Sequence, residues 1–355
     1  MTRTAPLLFD AMPGLAGRVP WRPLAHTPTP VEPCDAIAGW LGRGDVWMKR
    51  DDLISPIYGG NKVRRYEFVL ADAAERGATC LVTAGGIAST QVMATALLGA
   101  SEGFSVLAVL FDQPVTRFAQ QALLVSATAG AQLIYGGGYG RTTWRTLWTW
   151  QRASKPYLIL PGAAGPLANL GYLDAMIELD GQVRAGLCPR PDVIVLPSGS
   201  SGTLVALALG ASWLGWPTEI VGVRITSLLA CNRLTINYLA RATARFIQRF
   251  SPSVRLGMTR YRLLHEAIGS GYGHPTPEAI EALPQVKALL GVPGEVTYSA
   301  KTLVGLRALC RDPYYRGKNL LLWNTLSSVQ PPADPSMASR LPPELQRLLN
   351  APVIA

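Results

Sequence analysis

Short apolar runs alternate with segments of helical period along most of the chain. After Lys62, apolar side chains recur on one face of a 3.6-residue period, which predicts a helix that ends before Gly77. Such alternation predicts an α/β fold in which parallel strands carry helices on both faces. The predicted strands are residues 80–83, 105–110, 131–134, 157–160, 192–196 and 219–223, and the later helices are 90–102, 117–128, 142–152, one from 167, 203–214 and 228–250.

The stretch 46–68 holds the first candidate for chemistry. A short apolar run and the charged residues 49–52 lead into Gly59-Gly60-Asn61-Lys62, where a helix begins. Two glycines permit positive φ and the close approach of a flat ligand. The positive end of a helix dipole lowers the pKa of a lysine there, and the neutral amine is the form that attacks a carbonyl. A glycine turn with a surface lysine is the alternative.

Composition narrows the classes of protein. The chain has 355 residues, enough for two domains or one large α/β unit, and a formal charge of +10. Only six residues are lysines, which narrows the search for a catalytic amine. The arginines are scattered and no nucleic-acid-binding motif is present, so we expect no nucleic-acid partner.

Cysteine and histidine usage points to a reduced compartment without a metal site. The five cysteines are far apart and form no CxxC, and the three histidines lack metal-ligand spacing. No signal peptide is evident at the N-terminus, and the most apolar window, residues 203–216, is too short to cross a bilayer. We therefore expect a cytoplasmic protein with no metal and no membrane contact.

A second candidate site is the loop between the predicted strand 192–196 and the following helix. Small residues before a helix N-terminus expose backbone N–H groups to an anion. The loop lacks the Gly-Lys-Ser/Thr ending of an ATP-binding loop, and no acidic residue follows at dinucleotide spacing. It predicts a phosphate cradle, with an ordinary βα turn as the alternative. Its residues are Ser198, Gly199, Ser200, Ser201, Gly202 and Thr203.

A nucleophilic lysine, a distant phosphate cradle and the glycine turn before Ser89 together indicate pyridoxal 5′-phosphate. Lys62 would bind its aldehyde as an imine, the cradle would bind its phosphate, and an aromatic residue would stack on its ring. Tyr298 is the candidate for stacking.

The ordered motifs resemble the family of 1-aminocyclopropane-1-carboxylate deaminase and D-cysteine desulfhydrase, within the fold type II pyridoxal-phosphate enzymes. The resemblance runs from about Pro23 to Ser328. Its motifs are Thr27-Pro28-Thr29-Pro30, Lys49-Arg50-Asp51-Asp52, Gly59-Gly60-Asn61-Lys62, Gly85-Gly86-Ile87 with Ser89, Gly171-Tyr172, Ser198-Gly199-Ser200 with Gly202-Thr203, Gly271-Tyr272-Gly273, Tyr298 with Lys301, and Asn324-Thr325.

The resemblance implies roles for single residues. Lys62 would be the Schiff-base lysine and move the α-proton, and Asn61 would contact the ring 3-hydroxyl. Tyr298 would stack on the ring and, with Tyr272, face the substrate. Thr325 would hydrogen-bond the pyridine nitrogen and leave it largely unprotonated, which favours elimination or other β-chemistry over transamination. The cradle residues, Ser198, Gly199, Ser200, Ser201, Gly202 and Thr203, would bind the phosphate.

The substrate side departs from the family pattern. Ser89 would lie over the substrate carboxylate or act in proton transfer, with Thr90 and Gln91 beside it. The family usually has asparagine at position 90, so Thr90 and Gln91 are predicted to change substrate choice. Val92 and Met93 are apolar where the family carries a basic residue nearby. Ser299 also replaces the glutamate of the deaminases, and Leu326-Ser327 replaces Gly-Gly. These departures argue against cyclopropane ring opening and also count against ordinary D-cysteine cleavage.

These inferences predict a two-domain enzyme for a small amino acid. A smaller domain, residues 63–172, would be inserted into a larger one made of residues 1–62 and 173–355. The predicted reaction is an α,β-elimination that releases ammonia and a 2-oxo acid. The alternatives are a β-replacement in a biosynthetic pathway, and a cofactor-binding protein that has lost catalysis. The resemblance further implies a homodimer.

Overall fold

The structure is a computed structural model that describes residues 4–354. Its strands, in chain order, are β1 (Val31–Pro33), β2 (Val46–Lys49), β3 (Cys80–Gly86), β4 (Ser105–Phe111), β5 (Gln132–Gly137), β6 (Pro156–Ile159), β7 (Val193–Ser198), β8 (Glu219–Arg224), β9 (Tyr261–Leu264) and β10 (Leu320–Trp323). Its α-helices are α1 (Leu7–Ala11), α2 (Ala38–Leu41), α3 (Lys62–Glu75), α4 (Thr90–Ser101), α5 (Arg117–Thr128), α6 (Tyr139–Arg152), α7 (Pro166–Arg184), α8 (Gly202–Trp213), α9 (Arg233–Gln248), α10 (Pro277–Glu281), α11 (Leu283–Leu290), α12 (Ser299–Arg311) and α13 (Pro343–Leu349).

The described chain divides into two compact units. One contains the residues up to Val69 together with Ala164–Val329, and the other contains Leu70–Ala163 and the residues from Gln330 onward. The sequence placed the boundaries at 62/63 and 172/173 and assigned the C-terminal tail to the larger domain. The tail instead binds α5, where the Gln120 amide donates to the carbonyls of Leu348 and Leu349 at 3.0 Å.

The first unit is built on a six-stranded sheet in the order β1-β2-β10-β7-β8-β9. Only β1 is antiparallel, and the other neighbours pair in parallel. β7 and β8 are almost continuous apolar runs because both faces of the sheet are covered. Side chains of these strands and of α7, α8 and α9 form one buried core.

The second unit has a four-stranded parallel sheet in the order β5-β4-β3-β6. Cys80 of β3 pairs with Ser105 of β4, and the register continues to Gly86 and Phe111. On α6 the buried positions include threonines, whereas Trp144 and Trp148 are exposed by 62% and 44%. They therefore do not belong to the described core.

The predicted fold class is confirmed, because both units are open parallel sheets flanked by helices. Local differences have local causes. α9 begins at Arg233 rather than at 228, because Asn232 and Thr235 form a capping box that starts the helix there. Strands β9 and β10 were not predicted, since each has only four residues and lacks a diagnostic period.

Candidate active site

A glycine turn presents Lys62 in the first unit. Gly60 has φ +88°, and a Cβ on it would lie 2.3 Å from the carbonyl oxygen of Thr325. A Cβ on Gly59 would lie 1.9 Å from the carbonyl of Asp52. The N–H of Asn61 donates to the Thr325 carbonyl at 3.3 Å. Only glycine fits these two positions, and the close packing brings Thr325 beside the start of α3.

The Lys62 amine is buried without a carboxylate. Its side chain belongs to a residue only 8% exposed, and Nζ donates to Oδ1 of Asn61 at 3.1 Å. Burial, with the nearby charge of Arg65 as the second cause, lowers the pKa of Lys62 well below its usual range. No carboxylate within the described residues lies close enough to form an ion pair with it. The site therefore favours the neutral, nucleophilic amine.

The other lysines have different surroundings. Lys49 donates to Glu178 at 2.6 Å and is fully buried in an ion pair. Lys301 donates to the carbonyls of Ile268 and Gly271, at 2.8 and 3.2 Å. Burial lowers the pKa of Lys301 to about 8, but these carbonyls hold its protons. The remaining lysines, Lys155, Lys287 and Lys318, are exposed or half-buried. Lys62 is thus the best candidate for a catalytic amine.

The predicted cradle lies where β7 ends and α8 begins. Ser201 is the residue before the helix and has a left-handed conformation, with φ 62°. As in any helix, the first N–H groups of α8 have no acceptor within the helix. Its hydroxyl donates to the Cys231 thiol at 3.2 Å, and Ser198 lies 3.4 Å from the same sulfur. These contacts fix the loop in place. The N–H groups at the start of α8, together with the dipole of that helix, can then attract an anion.

Arg65 completes this region, although the sequence did not single it out. Its Nη2 donates to Oγ1 of Thr203 at 2.7 Å, and the Asn61 amide reaches the same oxygen at 3.3 Å. A Cβ on Gly202 would lie 2.8 Å from the guanidinium nitrogens of Arg65. Burial lowers the pKa of Arg65 to about 10, which still leaves a cation at neutral pH. Its position three residues after Lys62 was the available signal, because i and i+3 share one helix face.

These residues fit a phosphate group. A loop of small residues, a helix N-terminus and a buried guanidinium are the features that bind a dianion, and the amine of Lys62 is connected to them through Asn61. The cation of Arg65 beside Gly202 leaves no room for a larger side chain at that position.

Two tyrosines form a second cluster in the same unit. The hydroxyls of Tyr272 and Tyr298 lie 2.5 Å apart, and their rings meet edge to face. The buried carboxylate of Glu295 accepts the backbone N–H of Tyr298 at 2.8 Å. Lys301 holds the loop that carries Tyr272 through the carbonyls of Ile268 and Gly271. The paired hydroxyls can pass a proton to or from a bound molecule.

The predicted substrate residues Ser89, Thr90 and Gln91 lie in the second unit, at the start of α4. Ser89 is the N-cap, since its hydroxyl accepts the N–H of Val92 at 3.3 Å. Gln91 is buried, and its amide donates to Thr83 at 2.7 Å and accepts the N–H of Gly162. These bonds tie Gln91 to its own unit. Substrate contacts of the three residues stay a prediction.

The first unit thus brings together most of the predicted cofactor residues. They are Asn61, Lys62, Ser198, Gly199, Ser200, Ser201, Gly202, Thr203 and Thr325, with Tyr272 and Tyr298 in a cluster joined by a hydrogen bond. No group of metal-binding side chains is found among residues 4–354. In the same range, no helix is both long and apolar enough to cross a membrane.

Residues 23–325 match the family described as pyridoxal-phosphate dependent enzyme, and the chain belongs to that family. The predicted cofactor, pyridoxal 5′-phosphate, is thereby confirmed.

Solved structures show the same fold. A crystal structure of an ACC deaminase homologue is 24% identical, covers 95% of this chain and 100% of its own, and superposes with a TM-score of 0.76. A fungal L-serine ammonia-lyase from Rhizomucor miehei is 17% identical over 86% of this chain and 94% of its own, with a TM-score of 0.58. A T.th. threonine deaminase is 17% identical over 90% of this chain and 96% of its own, with a TM-score of 0.58. Together with the family match, these similarities confirm the predicted fold type II.

Proposed function

We propose that this pyridoxal-phosphate enzyme carries out an α,β-elimination on a small amino acid and releases ammonia and a 2-oxo acid. The observation that carries the proposal is the buried Lys62 amine, whose pKa is lowered by burial and then by Arg65. An amine whose charged form is disfavoured can both bind the cofactor aldehyde and take a proton from carbon.

The cofactor would be held by residues of the first unit. The N–H groups of the loop 198–203 and the Arg65 guanidinium would bind its phosphate, and Asn61 and Thr325 would contact its ring. Tyr298 would lie against the ring face. When bound, the cofactor withdraws electrons from the substrate Cα and so makes the α-proton acidic.

The chain's own groups supply the proton transfers. Lys62 Nζ takes the proton from Cα, and the electron pair of that C–H bond forms a double bond to Cβ as the β-substituent leaves with its own pair. The hydroxyl pair of Tyr272 and Tyr298 donates a proton to the leaving group. The released enamine acid takes up water, which gives the 2-oxo acid and ammonia.

The relatives of the same fold support this reaction class. Their names describe an L-serine ammonia-lyase, a threonine deaminase and a homologue of ACC deaminase, and ammonia-lyase and deaminase reactions release ammonia. The resemblance to D-cysteine desulfhydrase makes D-cysteine one candidate substrate, and we propose that Thr90 and Gln91 alter that choice. A homodimer remains part of the same proposal.

Trapping the cofactor tests the proposal directly. Borohydride reduction of the purified protein, followed by peptide mapping, is expected to place the reduced adduct on Lys62. Ammonia and 2-oxo acid are then measured with a panel of D- and L-amino acids, with and without an added thiol that would reveal β-replacement. Lys301→Arg is the matched control, because it changes a buried lysine that also has a lowered pKa. A colourless protein that takes up no cofactor, or an adduct on Lys301, would contradict the proposal.

A further inference from the structure

Three neighbouring strands of the first unit end at one edge. β7 ends at Ser198, which pairs with Arg224 at the end of β8. β9 ends at Leu264, which pairs with Val223 and is followed by His265. Ligands of open parallel sheets bind beyond the carboxyl ends of the strands, so Arg224 and His265 occupy a position typical of binding residues.

Arg224 is a mostly buried residue whose guanidinium has no carboxylate partner among residues 4–354. The residue is 8% exposed, and its Nε donates to Nδ1 of His265 at 2.7 Å while Nη1 donates to the carbonyl of Thr226 at 2.6 Å. Within residues 4–354 no Asp or Glu oxygen lies within 4.0 Å of its nitrogens, and Nη2 has no hydrogen-bond acceptor. A buried cation is costly unless an anion or several acceptors meet it.

His265 presents a second donor at this place. Its Nδ1 accepts from Arg224, so the neutral ring carries its proton on Nε2. The side chain is exposed, and its own backbone N–H is bound by Glu266 at 2.9 Å. Nη2 of Arg224 and Nε2 of His265 are therefore two N–H donors of one small cationic cluster.

This cluster is connected to the phosphate loop but differs from it. Thr226 donates through Oγ1 to the carbonyl of Gly199 at 2.9 Å, and the N–H of Ile225 donates to the carbonyl of Ser198 at 3.1 Å. The cation on the loop itself is Arg65, which lies against Gly202 and Thr203. Arg224 is thus a second cation, beside the other end of the loop.

We infer that Arg224 and His265 form an anion subsite that binds a carboxylate on the substrate side chain, so the substrates are acidic amino acids. The inference rests on the proposed function and narrows it to a substrate class. Arg224 would bind the side-chain carboxylate of the substrate through charge-assisted hydrogen bonds. A substrate with an amide in place of this carboxylate would leave the guanidinium without an anion. With 3-hydroxyaspartate, elimination would expel hydroxide from Cβ and, after water uptake, give oxaloacetate and ammonia.

The test compares aspartate with its isosteric amide. Binding of aspartate and asparagine to the holoenzyme is measured from the change in the visible absorbance of the cofactor. We expect aspartate to bind at least 10-fold more tightly, Arg224→Gln to bring this ratio close to one with little change for asparagine, and Arg224→Lys to retain part of it. Arg262→Gln is the matched control, because it removes an exposed arginine of β9 and should leave the ratio unchanged.

Other outcomes would overturn the inference. They are equal binding of the two ligands, absorbance that responds to neither ligand, and an Arg224→Gln variant that weakens both equally. The cofactor phosphate is the other possible source of the anion. An unchanged ratio together with weaker pyridoxal-phosphate binding by the cofactor-free Arg224→Gln protein would assign Arg224 to the cofactor. Elimination of neutral amino acids alone would leave the proposed function standing, whereas a cofactor not attached to Lys62 would remove both.

Discussion

Arg64 and Arg65 are neighbours on α3 and both are buried, yet their surroundings differ in kind. Arg64 donates to Asp51 at 2.8 Å and to Glu178 at 2.9 Å, and Lys49 shares Glu178. Burial opposes the charge of Arg64, but these two carboxylates outweigh it and hold the pKa of Arg64 well above its usual range. Asp51 also accepts from Tyr172 and Trp323, so this network joins four parts of the unit.

On the Lys62–Arg65 face the side-chain hydrogen bonds go to hydroxyl and amide groups, and the Arg65 guanidinium lies 5.9 Å from the centre of the Tyr172 ring. There burial prevails and lowers the pKa of both residues. The comparison teaches that one helix serves two purposes. The Arg64 side balances its own charges and stabilises the turn, whereas the other side keeps a nucleophilic amine and a cation for a phosphate, as proposed above.

The largest expected effect comes from opening the balanced network. Arg64→Met would leave Asp51 and Glu178 buried beside one cation fewer, and we expect a loss of about 3–5 kcal/mol in the free energy of unfolding. Urea denaturation measures it. Arg76→Met is the control, since its ion pair with Asp72 is mostly exposed and should contribute less than about 1 kcal/mol. Equal losses in the two variants would show that the network does not stabilise the fold.

Glu67 is a buried carboxylate on the same helix, and its ionisation should make the stability of the fold depend on pH. Among residues 4–354, its carboxylate accepts hydrogen bonds only from the N–H groups of Leu24 and Ala25, and burial raises the pKa of Glu67 to about 7 from 4.5. The folded state holds this proton longer than the unfolded state. Its contribution is therefore full below pH 4.5 and is lost as pH rises through 7, a change on the order of 3 kcal/mol.

Glu67→Gln should remove this dependence. Urea denaturation between pH 4.5 and 8 is expected to show the variant gaining stability over the parent as pH rises. Glu75→Gln, at an exposed position of the same helix, should follow the parent at every pH. A difference between Glu67→Gln and the parent that stays constant with pH would refute the assigned ionisation.

The smallest expected effect has the opposite sign. Lys62→Met removes a buried amine whose charged form is disfavoured, so the cofactor-free protein should become more stable by about 1 kcal/mol while covalent cofactor attachment is lost. Thermal unfolding without cofactor measures the first effect and borohydride trapping the second. Lys62→Arg, which keeps the charge, should not stabilise. A destabilised Lys62→Met protein would mean that the amine contributes to the fold, and the contrast with Arg64 would fail.

The helices with a strong period were predicted closely. The predicted helix 117–128 coincides with α5, and the predicted helix 90–102 begins, like α4, directly after the capping residue Ser89, because periodicity and capping are local properties. The start of α9 and the strands β9 and β10 were not predicted. Short strands and exact helix starts depend on which neighbours they meet, and a single sequence does not display those neighbours.

The sequence by itself determined the cofactor, the family and the candidate lysine, since Gly59-Gly60-Asn61-Lys62 and the small-residue loop 198–203 are local motifs whose chemistry follows from residue type. Tertiary structure alone decided which of two adjacent arginines is balanced by carboxylates, that the Gln91 amide is engaged within its own unit, and that Arg224 meets His265 beside the loop. The reason is physical. Charge balance and burial depend on groups far apart along the chain, such as Asp51 and Glu178, and only folding sets the distances between them.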